Sequence, residues 1–419
     1  MAFLRNFSLN ALSTGLVFSL GLLNQMLLAH ALGSAGYGRL ALWTNAALIA
    51  ALVLGEWMRR GSTYVVGREA AAGSARNNAL LYALVLFCAT SLFAWAGRAL
   101  LVDALGEEIM RYWPLWALLT TGIVLQRCGQ AILLGQDRVR PYALVPIVFI
   151  AVYATANGVQ WLGGELDMVR ALYAFVAAAA LAAFVAFACL RRAGPFHWGD
   201  RALLGRTWSV GSRGTVSVVL VFLLLKSDLF LIQYFIDEAA VGTYRVAVNF
   251  ADMMQRLPDV AGAVLLAKVV RDEDAGRLSL RVARGILAFS LLAALGLWGL
   301  GEWLIALLFP DYTAAYAPLL WMLPGLIFLG IGSVFNTKLA GLGYPPITQW
   351  APGVAFVANL LLNAYLIPRM GLEGAALATS LSYALWTLCV AQAYMRHERL
   401  DWRALVGLPP HRPEGVDRR

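Results

Sequence analysis

Residues 168–190 read MVRALYAFVAAAALAAFVAFACL, a run in which Arg170 is the only charged residue. A helix needs about 20 mostly apolar residues to cross the hydrocarbon core of a bilayer. The whole chain of 419 residues has a similar character, because 60% of it is hydrophobic and only 14% is charged. Soluble domains carry about 25% charged residues. The sequence therefore predicts an all-α polytopic membrane protein and excludes an ordinary soluble enzyme.

Comparable apolar runs recur about twelve times, separated by charges and by turn residues such as Gly33-Ser34 and Pro345-Pro346. The predicted spans are approximately 8–32, 38–58, 79–101, 112–135, 141–162, 168–190, 208–236, 240–268, 282–308, 314–340, 345–367 and 372–395. We predict a six-helix N-terminal lobe over 1–192, a cytoplasmic linker over 193–207, a six-helix C-terminal lobe over 208–395 and a cytoplasmic tail over 396–419.

Basic residues give the orientation of these spans, because Lys and Arg accumulate in cytoplasmic loops. The N-terminus, the even-numbered connections and the tail carry 22 Lys and Arg residues, whereas the odd-numbered connections carry 5. This asymmetry predicts that both termini are cytoplasmic. It also accounts for most of the formal charge of +9, so a nucleic-acid partner is not needed to explain that charge.

Sequence motifs for catalysis or for nucleotide and metal binding are absent. The chain has no G-x-x-x-x-G-K-[ST] phosphate loop and no H-E-x-x-H pair. Its four cysteines fall inside apolar runs without a C-x-x-C spacing, which is typical of buried hydrophobic residues. We therefore predict no catalytic residues, no metal and no cofactor, and we interpret the chain as a transporter driven by a gradient.

Charges within the predicted spans are the strongest functional signal. A charge at the centre of a lipid-facing helix costs about 2.5–3.5 kcal/mol, so such residues normally face protein or water. The eighth span carries five polar residues within an arc of about 80° on one helix face: Arg245, Asn249, Asp252, Arg256 and Asp259. This stripe predicts either the wall of a hydrated cavity or an internal ladder in which Asp252 pairs with Arg256.

Other spans contain further charges. Arg127 lies too deep in the fourth span to reach the surface easily, whereas Lys338 is close enough to the cytoplasmic end of its span to extend towards water. Lys226 and Asp228 are two residues apart and should have different partners. Glu56 is either a proton-binding carboxylate or an ion-pair partner of Arg59 or Arg60. The remaining basic residue within a span is Arg213.

Three segments resemble the polysaccharide flippase family of the multidrug/oligosaccharidyl-lipid/polysaccharide exporter superfamily. They are ALGSAGYGRLAL at 31–42, KSDLFLIQYFIDEAAVGTYRVA at 226–247 and NLLLNAYLIPRMGLEGAALATS at 359–380. The third segment is similar to the family pattern N-x-x-LN-x-x-LIP-x-x-G-x-x-GAA-x-AT and is the most specific of the three. Phe309-Pro310-Asp311-Tyr312, followed by Ala317-Pro318, also fits the family.

This resemblance implies two six-helix lobes packed as a V around a central cavity, and a flippase of the bacterial inner membrane. The implied substrate is a polyprenyl-pyrophosphate-linked oligosaccharide, moved from the cytoplasmic to the periplasmic leaflet by alternating access for surface polysaccharide synthesis. The expected partners are this substrate, membrane lipid, and the polysaccharide polymerase and export machinery. The candidate pyrophosphate or cavity residues are Arg245, Arg256, Arg127, Arg213, Lys226 and Asn249, and the candidate ion-coupling residues are Asp252, Asp228 and Glu56.

Two alternatives stay open at this point. A multidrug or small-molecule exporter of the same superfamily often carries organic cations, for which an acidic cavity is expected, but the charges within these spans are basic in excess. A membrane polysaccharide polymerase or ligase needs a sizeable periplasmic loop, and the predicted odd-numbered loops hold about a dozen residues or fewer.

Overall fold

The computed structural model describes residues 2–69, 71–98, 111–269, 276–341 and 345–398. Within these ranges the chain forms eleven α-helices and two short 3₁₀ helices, and it has no strand, so the predicted all-α class is confirmed. The helices are α1 (Ala2–Glu69), α2 (Ala72–Ala96), α3 (Trp113–Gly135), α4 (Val139–Leu162), α5 (Met168–Cys189), α6 (Arg201–Lys226), α7 (Asp228–Phe235), α8 (Glu238–Val269), α9 (Gly276–Leu308), α10 (Tyr316–Gly341) and α11 (Ile347–Glu398).

Two of these helices are too long for one membrane crossing, and each is broken by a glycine. In α1 the break is at Gly33, with φ 65° and ψ 177°, and in α11 it is at Gly371, with φ 59° and ψ −135°. A positive φ strains any residue with a Cβ atom, so glycine is the residue that ends a span here without cost. The predicted break at Gly33-Ser34 is therefore present.

The described part of the chain contains nine segments long and apolar enough to cross a membrane. Two of them, Leu12–Glu69 and Ile347–Glu398, are the segments divided at Gly33 and Gly371. Helix α8 is long enough as well, but it carries the charged stripe. Counting the divided segments twice and adding α8 gives twelve spans, which agrees with the sequence prediction. The chain is a multi-pass membrane protein.

The chain divides into two compact units, Met1–Val219 and Leu220–Arg419, with the boundary inside α6. The segment predicted as a linker belongs to the first unit and bonds to helix α2 of that unit. The guanidinium of Arg76 donates to the carbonyl oxygens of Leu190 (3.2 Å) and Gly194 (2.9 Å). Asn78 donates to the Asp200 carbonyl (2.9 Å) and accepts from the Asp200 N–H (2.7 Å). The lobe boundaries stated above stay a prediction.

Small residues allow the helices of the first unit to approach closely. Helix α5 buries a row of alanines against α3, and a Cβ added to Gly129 would lie 2.7 Å from the Cβ of Ala186. Apolar burial drives helix association weakly in a bilayer, because lipid tails are as apolar as leucine, so close van der Waals packing must contribute instead. The alanine-rich run at 168–190 therefore supplies a helix interface as well as a membrane span.

Hydroxyl groups join α10 to α11 in the second unit. Ser380 Oγ donates to the Trp321 carbonyl (2.5 Å) and accepts from the Gly325 N–H (3.2 Å), and Thr387 Oγ1 donates to the Phe328 carbonyl (2.8 Å). These bonds require the two backbones to be very close. A Cβ at Gly325 would lie 2.4 Å from the Cα of Ser380.

This contact predicts that Gly325→Ala destabilises the protein by about 1–3 kcal/mol, because the backbone of α11 would have to move. Gly296→Ala on α9 is the matched control, since no atom lies within 4 Å of a Cβ at that position. Thermal unfolding in detergent should show a lower midpoint for Gly325→Ala and an equal or higher midpoint for Gly296→Ala. Equal effects of the two substitutions would contradict the packing described here.

Candidate functional site

Helix α8 presents two very different faces. Val246, Phe250 and Met254 are buried within the second unit, and Gln255 donates from Nε2 to the Leu326 carbonyl of α10 (2.8 Å). The predicted polar stripe lies on the other side, where exposure increases along the helix. Asn249 is buried, Arg245 and Asp252 are partly exposed, and Arg256 is exposed. The stripe therefore lies on the side of α8 that is open to solvent.

A lysine from another helix pairs with the centre of this stripe. Lys226, the last residue of α6, places Nζ 3.2 Å from Oδ2 and 3.3 Å from Oδ1 of Asp252. Asp252 keeps 42% of its side chain exposed, and Lys226 keeps 13%. In the ladder alternative Asp252 pairs with Arg256, but in the structure Asp252 forms its ion pair with Lys226. The spacing of Arg256 on the same helix did not decide the pairing because α6 supplies a closer cation.

Two arginines of α8 complete a basic group around this pair. Both Arg245 and Arg256 lie near enough to act electrostatically on the Asp252 carboxylate. Arg245 makes no side-chain hydrogen bond or ion pair with the residues described in the structure. Among the described side chains, Lys226 contacts Asp252 and the two arginines act on it from further away. A ligand with several anionic oxygens can bind guanidinium groups through paired hydrogen bonds.

Asp228 lies in a separate, buried pocket of the second unit. Its Oδ2 accepts hydrogen bonds from the hydroxyls of Tyr244 (2.8 Å) and Thr379 (3.4 Å), and its Oδ1 accepts from the Leu229 N–H (2.9 Å). Lys226 and Asp228 therefore have different partners, as their spacing predicts. The carboxylate is satisfied by neutral donors and has no ion-pair partner within 4 Å among the described residues.

The polar pocket continues beyond Asp228 through residues to which the sequence analysis gave no role. Ser227 Oγ donates to Asn359 Oδ1 (3.4 Å), and Asn363 Nδ2 donates to the same oxygen (3.0 Å). Both asparagines are fully buried, and neither Asn359 Nδ2 nor Asn363 Oδ1 has a hydrogen-bond partner within the described part of the chain. The four-residue spacing of Asn359 and Asn363 was the available signal, but it did not reveal that α11 meets the α6–α7 junction.

Glu56 forms an ion-pair group with its own helix in the first unit. Its Oε1 accepts from Arg59 Nη2 (2.5 Å) and from Arg60 Nε (2.8 Å), while Oε2 accepts from Arg59 Nε (2.8 Å). Only 2% of the Glu56 side chain is exposed. The ion-pair interpretation of Glu56 therefore describes its contacts. Arg127 is near enough to interact electrostatically with Glu56, and it makes no hydrogen bond or ion pair with a side chain that the structure describes.

The predicted spans contain three further charged residues, Lys338, Arg213 and Asp259. Lys338 does not extend to the surface: its side chain is buried, and Nζ lies 3.5 Å from Oε1 of Glu398 near the end of α11. The side chains of Arg213 and Asp259 lie outside the described residues. In the second unit Lys226 joins the residues of the α8 stripe through its contact with Asp252, whereas Arg127 and Glu56 lie near each other in the first unit.

No family model matches this chain, and no curated protein matches it in sequence. Among solved structures it is similar to the lipid II flippase MurJ in an inward closed conformation. The TM-score is 0.76, the identity is 15%, and the match covers 95% of this chain and 89% of that one. It is also similar to a multidrug resistance MATE family transporter of the MOP superfamily in an inward-facing conformation, with TM-score 0.73 and 12% identity over 93% and 95% of the two chains.

A third similar structure is a MOP superfamily transporter from Pyrococcus furiosus, for which a reversed polarity of the binding pocket suggests a different function. Its TM-score is 0.65 and its identity 13%, over 97% of this chain and 96% of that one. At such identities the likeness concerns the fold. The predicted fold is confirmed, and membership of the polysaccharide flippase family and its superfamily stays a prediction.

The two faces of α8 predict a pattern of chemical labelling. Single cysteines replacing Asp252 and Arg256, in a variant whose four native cysteines are replaced, should react quickly with a membrane-impermeant thiol reagent. Cysteines replacing Phe250 and Met254 should be protected, because those side chains pack inside the unit. Mass spectrometry of the labelled protein measures the rates. Labelling confined to positions 250 and 254 would show that the stripe does not face water.

Proposed function

We propose that this protein is a flippase for polyprenyl-pyrophosphate-linked oligosaccharides. It translocates them from the cytoplasmic to the periplasmic leaflet of the bacterial inner membrane by alternating access, with both of its termini in the cytoplasm. The product then serves surface polysaccharide synthesis, and the polymerase and export machinery of that process are the protein partners. The fold supports this proposal, because a lipid II flippase has a similar one.

The observation that carries the proposal is the basic group on the open side of α8. Lys226 contacts Asp252, and Arg245 and Arg256 act electrostatically on the same carboxylate, within a membrane-spanning region. Cations in such a place are costly unless water or an anionic ligand compensates them. A pyrophosphate offers several charged oxygens, and each guanidinium can bind two of them in parallel. Arg127 in the first unit is a further candidate for the same substrate.

Coupling of transport to an ion gradient is the second part of the proposal, and we assign it to Asp228. This carboxylate is 2% exposed and receives its hydrogen bonds from hydroxyl and amide groups. Its contacts within 4 Å among the described residues are neutral, and Lys226 acts on it only from further away. A buried carboxylate in such surroundings favours any process that neutralises it. A proton or a small cation entering from one side of the membrane would do so. The ion-paired Glu56 and Asp252 are already neutralised by cations and are weaker candidates.

A multidrug exporter is the alternative that the structure comparison favours, because a MATE family transporter also has this fold. Organic cations bind to sites with excess negative charge, whereas the group around Asp252 is positive. Transport assays with organic cations distinguish the two functions. Robust efflux of such compounds that survives neutralisation of Arg245 and Arg256 would favour the exporter.

The flippase proposal predicts that Arg245→Ala and Arg256→Ala each reduce glycan export by about tenfold or more, because each removes a charge-assisted hydrogen-bonding group. Lysine at either position should restore part of the export, since it supplies the charge without the two-pronged geometry. Arg369→Ala is the control, because this exposed arginine stacks on Tyr365 outside the site. Surface polysaccharide is measured at matched protein abundance. Normal export by both alanine variants would contradict the assignment.

The coupling assignment predicts that Asp228→Asn leaves the abundance of the protein near normal but makes export insensitive to ion gradients. The amide oxygen still accepts the bond from Tyr244, whereas the amide cannot gain or lose charge. Export is measured in cells treated with a protonophore and in cells without sodium. One of these treatments should inhibit the wild type. Equal inhibition of the variant would exclude Asp228 as the coupling residue.

A further inference from the structure

Residues 191–200 form a strap that is tied to the start of helix α2 by side-chain hydrogen bonds. The buried guanidinium of Arg76 donates, at 2.9 to 3.4 Å, to four backbone carbonyl oxygens at the start of the strap: those of Leu190, Arg191, Gly194 and Pro195. Asn78 holds the other end of the strap through its two bonds with the backbone of Asp200 (2.7 and 2.9 Å). The strap is therefore a fixed part of the first unit and not a loose connection.

The middle of the strap presents two aromatic rings to the outside. Phe196 is 55% exposed and Trp198 is 82% exposed, and their rings pack edge to face with centroids 5.9 Å apart. The residue between them, His197, contacts the hydroxyl of Ser74 on α2 (3.3 Å). The backbone of the strap is thus tied to α2 here as well, while the described part of the chain leaves both rings largely uncovered.

The strap lies at the level where spans of the first unit end. Helix α5 is an apolar span that ends at Cys189, directly before the strap, and the span α2 begins beside the strap at Ala72. Headgroups meet the hydrocarbon core where the spans end. Tryptophan is enriched at this boundary, because its ring is apolar and its N–H is polar. The exposed rings therefore lie at a depth that suits the boundary between headgroups and acyl chains.

The surface around the strap is basic. Five exposed arginines lie at this end of the first unit: Arg138, Arg140, Arg191, Arg192 and Arg201. None of their side chains forms an ion pair with another described residue. The acids described nearby are Asp137, Asp200, which caps α6 by accepting from the Leu203 N–H (2.9 Å), and Glu69, which pairs with Arg206 (3.0 Å). The excess of positive charge is complementary to an anionic surface.

We propose that the strap is a binding site for anionic phospholipid headgroups. Phe196 and Trp198 enter the boundary between headgroups and acyl chains, and Arg191 and Arg192 bind the lipid phosphate, to which a guanidinium can donate two parallel hydrogen bonds. A zwitterionic headgroup offers the same phosphate but brings its own cation, so this basic surface selects anionic lipid. The inference concerns the bilayer around the first unit and does not depend on the proposed substrate.

The test titrates the full-length protein in detergent with phosphatidylglycerol and, separately, with phosphatidylcholine, and measures bound lipid by native mass spectrometry. The double variant Arg191→Gln, Arg192→Gln should bind phosphatidylglycerol about 5–30-fold more weakly at low ionic strength, because each arginine near an anionic headgroup contributes about a fivefold factor. Its binding of phosphatidylcholine should not change. The fold should persist, since Arg76 contacts the carbonyl of residue 191 and not its side chain.

The matched control is the double variant Arg98→Gln, Arg111→Gln. It also removes two exposed arginines of the first unit, but they lie beyond the opposite end of α2 from the strap. This variant should keep the affinity of the wild type for phosphatidylglycerol within about twofold, as expected for isolated exposed charges.

A second measurement tests the aromatic pair without a variant. The wild-type protein is reconstituted in vesicles that contain a photoactivatable phosphatidylglycerol or phosphatidylcholine, each with a diazirine at the start of its acyl chain. Residues 195–198 should be labelled more by the phosphatidylglycerol probe. Phe93 and Trp95 are the internal reference, because they have the same spacing and are 63% and 79% exposed on α2. The two probes should label them equally, as measured by peptide mass spectrometry.

Three results would overturn the proposal. Equal binding of the two lipids by the wild type would show that no anionic selectivity exists. Equal losses in the two double variants would assign the selectivity to the overall charge of the protein. An absence of label at residues 195–198 from both probes would show that the rings lie outside the bilayer, where a protein partner would have to cover them.

Discussion

A charged side chain in the membrane must meet a partner or water, and this constraint decides how the interior of the protein is arranged. Exposing one charge to lipid costs about 2.5–3.5 kcal/mol, which is a sizeable part of the stability of a folded chain. The structure satisfies the constraint differently at each place. Glu56 is surrounded by arginines of its own helix, and Lys338 contacts the end of a neighbouring helix. Asp228 accepts hydrogen bonds from hydroxyl groups, and Asp252 contacts both a lysine and solvent.

The apolar environment of the bilayer also explains why the helices pack through small residues. Backbone amides are satisfied within each helix, and lipid already surrounds the apolar side chains, so helices gain stability chiefly where their surfaces fit closely. Alanines of α5, such as Ala186, meet Gly129 of α3, and Gly325 of α10 meets Ser380 of α11. Close backbones also allow serine and threonine to bond across helices. In the polar pocket of Asp228 a hydroxyl likewise bonds across helices, since Thr379, which donates to Asp228, belongs to α11.

Most of the fold could be predicted from the sequence because the dominant signal is local. The length of each apolar run gives a span, and glycines such as Gly33 and Gly371 mark where one span ends and the next begins. The polar face of α8 followed from helical periodicity, which depends on one segment only. The six-plus-six division of the spans into lobes stays a prediction.

Pairing between helices could not be predicted in the same way. The four-residue spacing of Asp252 and Arg256 favoured a bond along α8, but tertiary packing brings Lys226 from the end of α6 to the same carboxylate. The hydroxyls of Tyr244 and Thr379 meet at Asp228 although Thr379 is 151 residues away. Such contacts depend on which helices are neighbours, and a single sequence does not record that.

The three carboxylates differ in their exposure and in the kind of partner that each contacts. Glu56 is buried and bound by two arginines of its own helix, so the loss of both would leave an uncompensated buried charge. Asp228 is buried with neutral donors, so any cation that reaches it gains a charged ligand. Asp252 is half-exposed, contacts Lys226, and is also acted on electrostatically by Arg245 and Arg256. The surroundings of Asp228 and Asp252 depend on tertiary packing, so the sequence did not separate these two acids from Glu56 as candidates for ion coupling.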